Sequence, residues 1–147
     1  MKRVFKTAVV ALLLLTANPH SALAAGNGSR ATTRSFDWNP VMEAIIEVES
    51  NGNHRAQNGN QVGAMQITPI LVEDCNEILK QRKSKKRYKL SDRFDVEKSK
   101  EMFLLIQSWY NPKNNVEKAI RSWNGGVNYK VKSTQRYYEK VMKAMRK

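Results

Sequence analysis

The sequence is poor in the residues that cross-link chains or hold metals. It contains one cysteine, Cys75, and two histidines, His20 and His54. A single thiol allows no internal disulfide framework. Two distant histidines, with no thiol or acid at ligand spacing, form no metal-ligand cluster. No metal and no cofactor enters this reading. Cys75 falls on a predicted apolar helix face, where a free thiol packs as a small hydrophobe. As a nucleophile it would need His54 as its base, and nothing in the sequence ties the two together.

Acids are scarce as well, 13 against 26 lysines and arginines, and the formal charge is +13. Such a charge implies attraction to polyanions or anionic surfaces and says nothing about fold. No apolar run reaches the ~18 residues that would span a bilayer. The most apolar stretch, Ala8 to Ala17, follows the cations Lys2, Arg3 and Lys6 and precedes Ala22-Leu23-Ala24. That is the layout of a cleavable export signal, so residues 1–24 read as a signal peptide and the destination as periplasmic or extracellular. No cysteine stands near the cleavage point to carry a lipid. Cleavage removes three cations and no acid, which takes the +13 to +10. In an exported chain, the anionic partners to expect are an envelope polymer, a membrane surface of lipid head groups or extracellular DNA. Export counts against specific nucleic-acid binding.

What remains reads as one domain. Residues 25–36 are rich in glycine, serine and threonine without periodicity, a flexible leader. The domain spans 37–147, the length of one hydrophobic core. Its first helix runs from Asn39 to Ser50, with Asn39 as N-cap, Pro40 at the first helical position and Gly52 as the left-handed stop. A polar loop, 51–62, follows. Thr68-Pro69 opens a second helix with Leu71, Cys75, Ile78 and Leu79 on one face. Residues 80–89 carry seven cations and no acid, a loop or frayed helix end. Asp95 caps a third helix that buries Val96, Phe103, Ile106 and Tyr110 and stops at Asn111-Pro112. Asn115 caps a fourth, with Val116, Ala119, Ile120 and Trp123 on one side and Gly125-Gly126 at its end. A fifth starts near Thr134, with Tyr137, Tyr138, Val141 and Met145 inward. No stretch shows strand alternation. The class is all-α, compact, with about five helices.

One carboxylate is out of place. At about 100° per residue, Val41, Met42, Ala44, Ile45, Ile46 and Val48 form a broad apolar arc on the first helix. Glu43 and Glu47 lie opposite it, but Glu49 lies within it. Burial disfavours the charged form of a carboxylate, and so does the negative end of the helix dipole in the last turn. Both raise its pKa, which is what a general acid needs near neutral pH. Three other stretches carry amides, hydroxyls and aromatics suited to a neutral polar ligand such as a sugar chain. They are Gly63-Ala64-Met65-Gln66-Ile67, Ser122-Trp123-Asn124-Gly125-Gly126, and Thr134 to Val141, where Tyr137 offers a hydroxyl to a buried carboxyl.

In this order the four stretches resemble the motifs of the soluble lytic transglycosylase family, over roughly residues 38–145. Its Glu-Ser pair closing a helix matches Glu49-Ser50. Its Gly-Leu-Met-Gln-aliphatic motif matches residues 63–67, with Ala64 for leucine. Its Ala-Tyr-Asn-Gly-Gly matches residues 122–126, with Ser122 and Trp123 at the first two positions. Its final motif matches Thr134, Tyr137 and Val141, with Tyr138 for valine. The resemblance implies a lysozyme-like fold and cleavage of the β-1,4 bond between N-acetylmuramic acid and N-acetylglucosamine in peptidoglycan, ending in 1,6-anhydromuramic acid. It implies Glu49 as the catalytic acid and base. Tyr137 would orient it, Ser50, Met65 and Gln66 would support it or the sugar, and Asn124 would bind a ring substituent. Glu73, Asp74, Asp92 and Asp95 match no motif and lie at helix starts, where acids are favoured anyway.

Two other readings stand beside this one. A hydrolytic muramidase on the same fold would use water and leave reducing ends. A non-enzymatic protein binding envelope polyanions would use residues 80–93 as its footprint. Wall remodelling, opening the wall for a secretion or conjugation machine, and attack on a competitor all fit the enzymatic chemistry.

Overall fold

A computed structural model describes residues 35–147. The export signal over 1–24 and all of the leader except Ser35 and Phe36 lie outside the described residues. Five α-helices dominate: α1 (Asn39–Ser50), α2 (Pro69–Gln81), α3 (Val96–Tyr110), α4 (Val116–Gly125) and α5 (Val131–Ala144). α1 packs on α5 and α4, and α2 packs on α3. The all-α reading with five helices therefore holds. No described helix is long and apolar enough to cross a membrane.

The core follows from the apolar arcs. Val41, Met42, Ala44, Ile45 and Ile46 of α1 are buried together with Cys75, Ile78, Met102, Phe103, Ile120 and Val141. Each large aliphatic or aromatic side chain removed from water contributes about 1.5–3 kcal/mol. An aromatic row runs through this core. Trp38 meets Phe103 edge-on at 5.6 Å between ring centroids, and Phe103 meets Trp123 at 5.2 Å. Phe36, counted with the leader in the sequence, already meets Trp38 edge-on at 4.6 Å between ring centroids. Burial leaves Cys75 fully enclosed and pushes its thiol up to about 12, helped by the nearby charge of Asp74.

Where caps are concerned, three of the four expected side-chain caps are present. Thr68, Asp95 and Asn115 each accept a hydrogen bond from the backbone N–H three residues on. Asn39 does not cap α1. It is already helical, Trp38 holds the cap position without a side-chain bond, and Asp37 Oδ1 accepts from the Asn39 N–H at 3.0 Å. The buried indole of Trp38 fixes how the chain enters, and the carboxylate two residues upstream takes the free donor. At the other end Asn51, not Gly52, makes the first left-handed step at φ 53°, and Gly52 follows at φ 82°.

Two further corrections concern element boundaries. The polar loop contains a short antiparallel hairpin, β1 (Gln57–Asn58) and β2 (Gln61–Val62). Strands of two residues are too short to display an alternating pattern. And α5 begins at Val131, so Thr134 sits inside it, buried, rather than at its start. Residues 90–94 form a 3-10 turn, Leu90–Phe94, which leads into the Asp95 cap.

Candidate active site

The three carboxylates of α1 have different fates. Glu43 pairs with Lys100 of α3 at 2.8 Å, and Glu47 pairs with Lys147 at the C-terminus. Glu49, half-buried, has no cation among the described residues. Its partner is neutral: the Tyr137 hydroxyl donates to Glu49 Oε1 at 2.7 Å. Burial raises the Glu49 pKa, and the Tyr137 bond offsets part of that rise because it favours the charged form. Burial and the adjacent carboxylate drive the phenol far up, so Tyr137 stays a donor at every working pH. The result is a carboxyl that can hold a proton at higher pH than an ordinary carboxylate, clamped in one orientation. Replacing Tyr137 with phenylalanine removes the bond that favours the carboxylate, so the Glu49 pKa should move further up. Side-chain NMR titration of both proteins checks this, and an unchanged or lower value would rule it out.

Ser50 does not reach Glu49. Its hydroxyl donates to the Ala64 carbonyl at 2.8 Å, with the Ile46 carbonyl at 3.2 Å as a second acceptor, and so staples the end of α1 to the next loop. That loop is tight. Gly63 N–H donates to Ala56 at 2.8 Å, and Val62 and Ile67 exchange backbone bonds. Gln66 is held left-handed at φ 51°, a conformation that costs a non-glycine residue about 1–2 kcal/mol. Its amide protons go to the loop's own carbonyls, Gly63 at 3.0 Å and Ala56 at 3.4 Å. Among the described residues no donor reaches its Oε1. Strain of this kind persists where surrounding structure over-determines it, often at functional sites. The Met65 side chain is fully buried and can only support the site from beneath.

Met65 carries the next link through its backbone. Its carbonyl accepts from the Trp123 indole N–H at 3.2 Å, which ties the loop to α4. Trp123 and the exposed Asn124 then line a cavity of about 350 Å³ with Gln61, Thr68, Asp74 and Tyr110. Apolar walls with a few convergent polar groups are the usual make-up of a small-molecule site. Glu49 is not itself among the residues lining this cavity. The two are joined through the Ser50–Ala64 and Met65–Trp123 bonds. Contrary to the sequence expectation, Glu73 and Asp74 lie beyond the first turn of α2, and Asp74 faces this cavity, whereas Asp92 and Asp95 are occupied as caps.

Sequence reading missed the group that fastens α5, and with it Tyr137, to α4. Arg121 is buried. Its guanidinium bonds Glu117 at 2.7 Å, Gln135 at 2.8 Å, the Val131 carbonyl at 3.1 Å and the Thr134 hydroxyl at 3.2 Å. It also lies over the Tyr138 ring at 4.3 Å. An arginine in a basic sequence reads as solvated surface, and only Glu117, four residues earlier, hinted at a partner. Arg93 was equally silent. Its guanidinium bonds the Asn60 carbonyl at 3.0 Å and the Ile67 carbonyl at 3.2 Å, so the 3-10 turn braces the Gly63–Ile67 loop.

A family model, the Transglycosylase SLT domain, matches residues 27–145. The match covers all five helices and begins ahead of the domain start read from composition. No curated protein matches the chain, and no solved structure does.

Proposed function

Because the chain belongs to the transglycosylase SLT domain family, whose members cleave glycosidic bonds of peptidoglycan, we propose that it is an exported enzyme that cuts the β-1,4 bond after N-acetylmuramic acid and closes that sugar into its 1,6-anhydro form. The observation that carries this reading is a single protonatable carboxyl, Glu49, held by a neutral phenol rather than a cation.

The chemistry needs one acid that later becomes a base. Protonated Glu49 gives its proton to the glycosidic oxygen as the bond to the muramic C1 breaks, and N-acetylglucosamine leaves with a free 4-hydroxyl. The resulting carboxylate takes the proton of the muramic 6-hydroxyl while that oxygen bonds to C1. Glu49 ends protonated, as it began, and no water is consumed. Most glycosidases need a second carboxylate. Here the substrate's own hydroxyl replaces it, because intramolecular attack has a high effective molarity. Tyr137 holds the carboxyl during both transfers. The exposed Asn124 amide in the cavity wall is available to the sugar, Gln66 Oε1 is unpaired among the described residues, and Ser50 acts on the loop rather than on the acid.

One observation favours a second reading, hydrolysis by water: Asp74 lines the same cavity as Asn124. Product analysis separates the two. Digestion of purified sacculi should release muropeptides one water lighter than reducing-end products, and Asp74→Asn should retain turnover within about tenfold, since general acid–base groups contribute about 10²–10⁴. Reducing ends, together with a deep loss in Asp74→Asn, would establish the muramidase instead.

A further inference from the structure

The basic segment has a structure that its charge alone did not announce. Residues 82–89 cross between the end of α2 and the middle of α3. Tyr88 plugs into the core, and the Asn76 side chain bonds both its backbone groups at 2.8 and 2.9 Å. The segment is thereby anchored at Tyr88, with Arg82, Lys83, Lys85, Lys86, Arg87 and Lys89 exposed around it. Two of these cations, Arg82 and Lys86, line an open groove of about 410 Å³ together with Glu101 and the apolar side chains of Leu79, Leu104 and Leu105. Arg82 bonds Ser108 at 3.0 Å and lies 5.4 Å from the ring of Trp109, which is 39% exposed. Lys86 is engaged with Glu101 at 2.7 Å. Among the described residues no acid pairs with Lys83, Lys85, Arg87 or Lys89. None of the groove's lining residues comes from the helices that carry Glu49, Trp123, Asn124 or Tyr137.

We propose that this face is a second binding surface, a seat for a bilayer that bears anionic phospholipid headgroups. Charge complementarity supplies the first half of the argument. Exposed lysines and arginines near an anionic leaflet each add attraction that falls off within a Debye length. The apolar lining and the exposed indole supply the second half. A purely anionic polymer has no use for Leu104 or Trp109, whereas a headgroup phosphate beside Arg82 brings glycerol and acyl carbons over the leucines. Tryptophan, with an apolar body and a polar edge, favours that boundary. Binding of this kind is peripheral and reversible. It would hold the domain at the membrane surface. The inference does not rest on the transglycosylase reading.

The test is co-sedimentation of the whole protein with vesicles of phosphatidylcholine containing about 30% phosphatidylglycerol, beside vesicles of phosphatidylcholine alone, at ~0.1 M and ~1 M salt. Wild type should sediment with the anionic vesicles at low salt and not with the neutral ones. The triple variant Lys83→Glu, Lys85→Glu, Lys89→Glu should bind more than tenfold more weakly. Leu104→Ser and Trp109→Ser, which leave net charge unchanged, should each weaken binding several-fold, with melting temperature and activity on soluble glycan retained. Failure of wild type to bind, or wild-type binding by the triple variant, would overturn the proposal. If the Leu104 and Trp109 variants bind like wild type and dextran sulfate competes equally with all, the face is a general polyanion seat and the bilayer assignment is wrong.

Discussion

Glu49→Gln should leave a folded protein with turnover reduced by about 10³-fold or more. The amide keeps the shape of the side chain and can still accept from Tyr137, but it can neither deliver a proton nor take one back. General acid–base groups supply about 10²–10⁴ in rate, and in the proposed mechanism one group serves both transfers. The stability effect should run the other way. The folded pKa of Glu49 is raised, so the folded state holds this proton more tightly than the unfolded chain does. The contribution of Glu49 is then fully present below the unfolded carboxyl pKa and is lost as pH rises through the raised folded value. At neutral pH the native carboxyl is thus a liability, and Glu49→Gln should melt at the same temperature as wild type or higher. Release of soluble muropeptides from sacculi and thermal melts at neutral pH check both halves. Turnover within a few-fold of wild type would mean that Glu49 is not the acid. A variant that melts well below wild type would mean that the carboxyl stabilises the fold, contrary to the burial that raises its pKa.

The largest loss of stability from a single methyl group should come from Gly63→Ala. Gly63 has φ 81°, and a Cβ there would stand 1.8 Å from the Arg93 carbonyl oxygen. That oxygen is backbone, in the 3-10 turn whose position the Ser99 hydroxyl fixes at 3.1 Å. The left-handed penalty is about 1–2 kcal/mol, and displacing packed backbone adds about 1–3 kcal/mol. A total near 3 kcal/mol lowers Tm by more than about 10 °C for a domain of this size. The natural control is Gly59→Ala. Gly59 has φ 60° in the hairpin turn, but nothing lies within 4 Å of its would-be Cβ, so only the conformational penalty applies. Activity should fall further in Gly63→Ala than stability requires, because the loop that must move carries the Ala64 and Met65 carbonyls that tie Ser50 and Trp123. Differential scanning calorimetry of the two variants decides the matter. Equal melting temperatures would show that the close approach to Arg93 carries no cost.

What could be read in advance was whatever is local. The arcs of all five helices show in their spacing, and so do the caps at Thr68, Asp95 and Asn115, where the acceptor lies three residues before its donor. The odd position of Glu49 is local too, a matter of angle on one helix. Its partner is not. Tyr137 lies 88 positions away; its chemistry suited a buried carboxyl, and the motif order pointed to Glu49 as that carboxyl. Arg121 and Arg93 escaped notice because their meaning resides in distant carbonyls and in burial, which a basic composition conceals. Asn39 misled for a related reason. The residue type favours a cap, but Asp37 and the buried Trp38 decided where the helix begins. The hairpin escaped because two residues per strand leave no period to detect.

The sealed thiol between α2 and α3 gives the protein a built-in clock for its own opening. Cys75 has no exposure and its Sγ faces the Met102 carbonyl at 3.8 Å. With the thiol pushed up to about 12, it offers neither access nor thiolate to a reagent while the core is closed. A thiol-reactive dye added to the native protein therefore reacts only through openings that separate that helix pair, at their rate once the dye is concentrated enough to outrun reclosing. Because Cys75 is the chain's single cysteine, the signal comes from one known point, with no engineered label and no background to subtract.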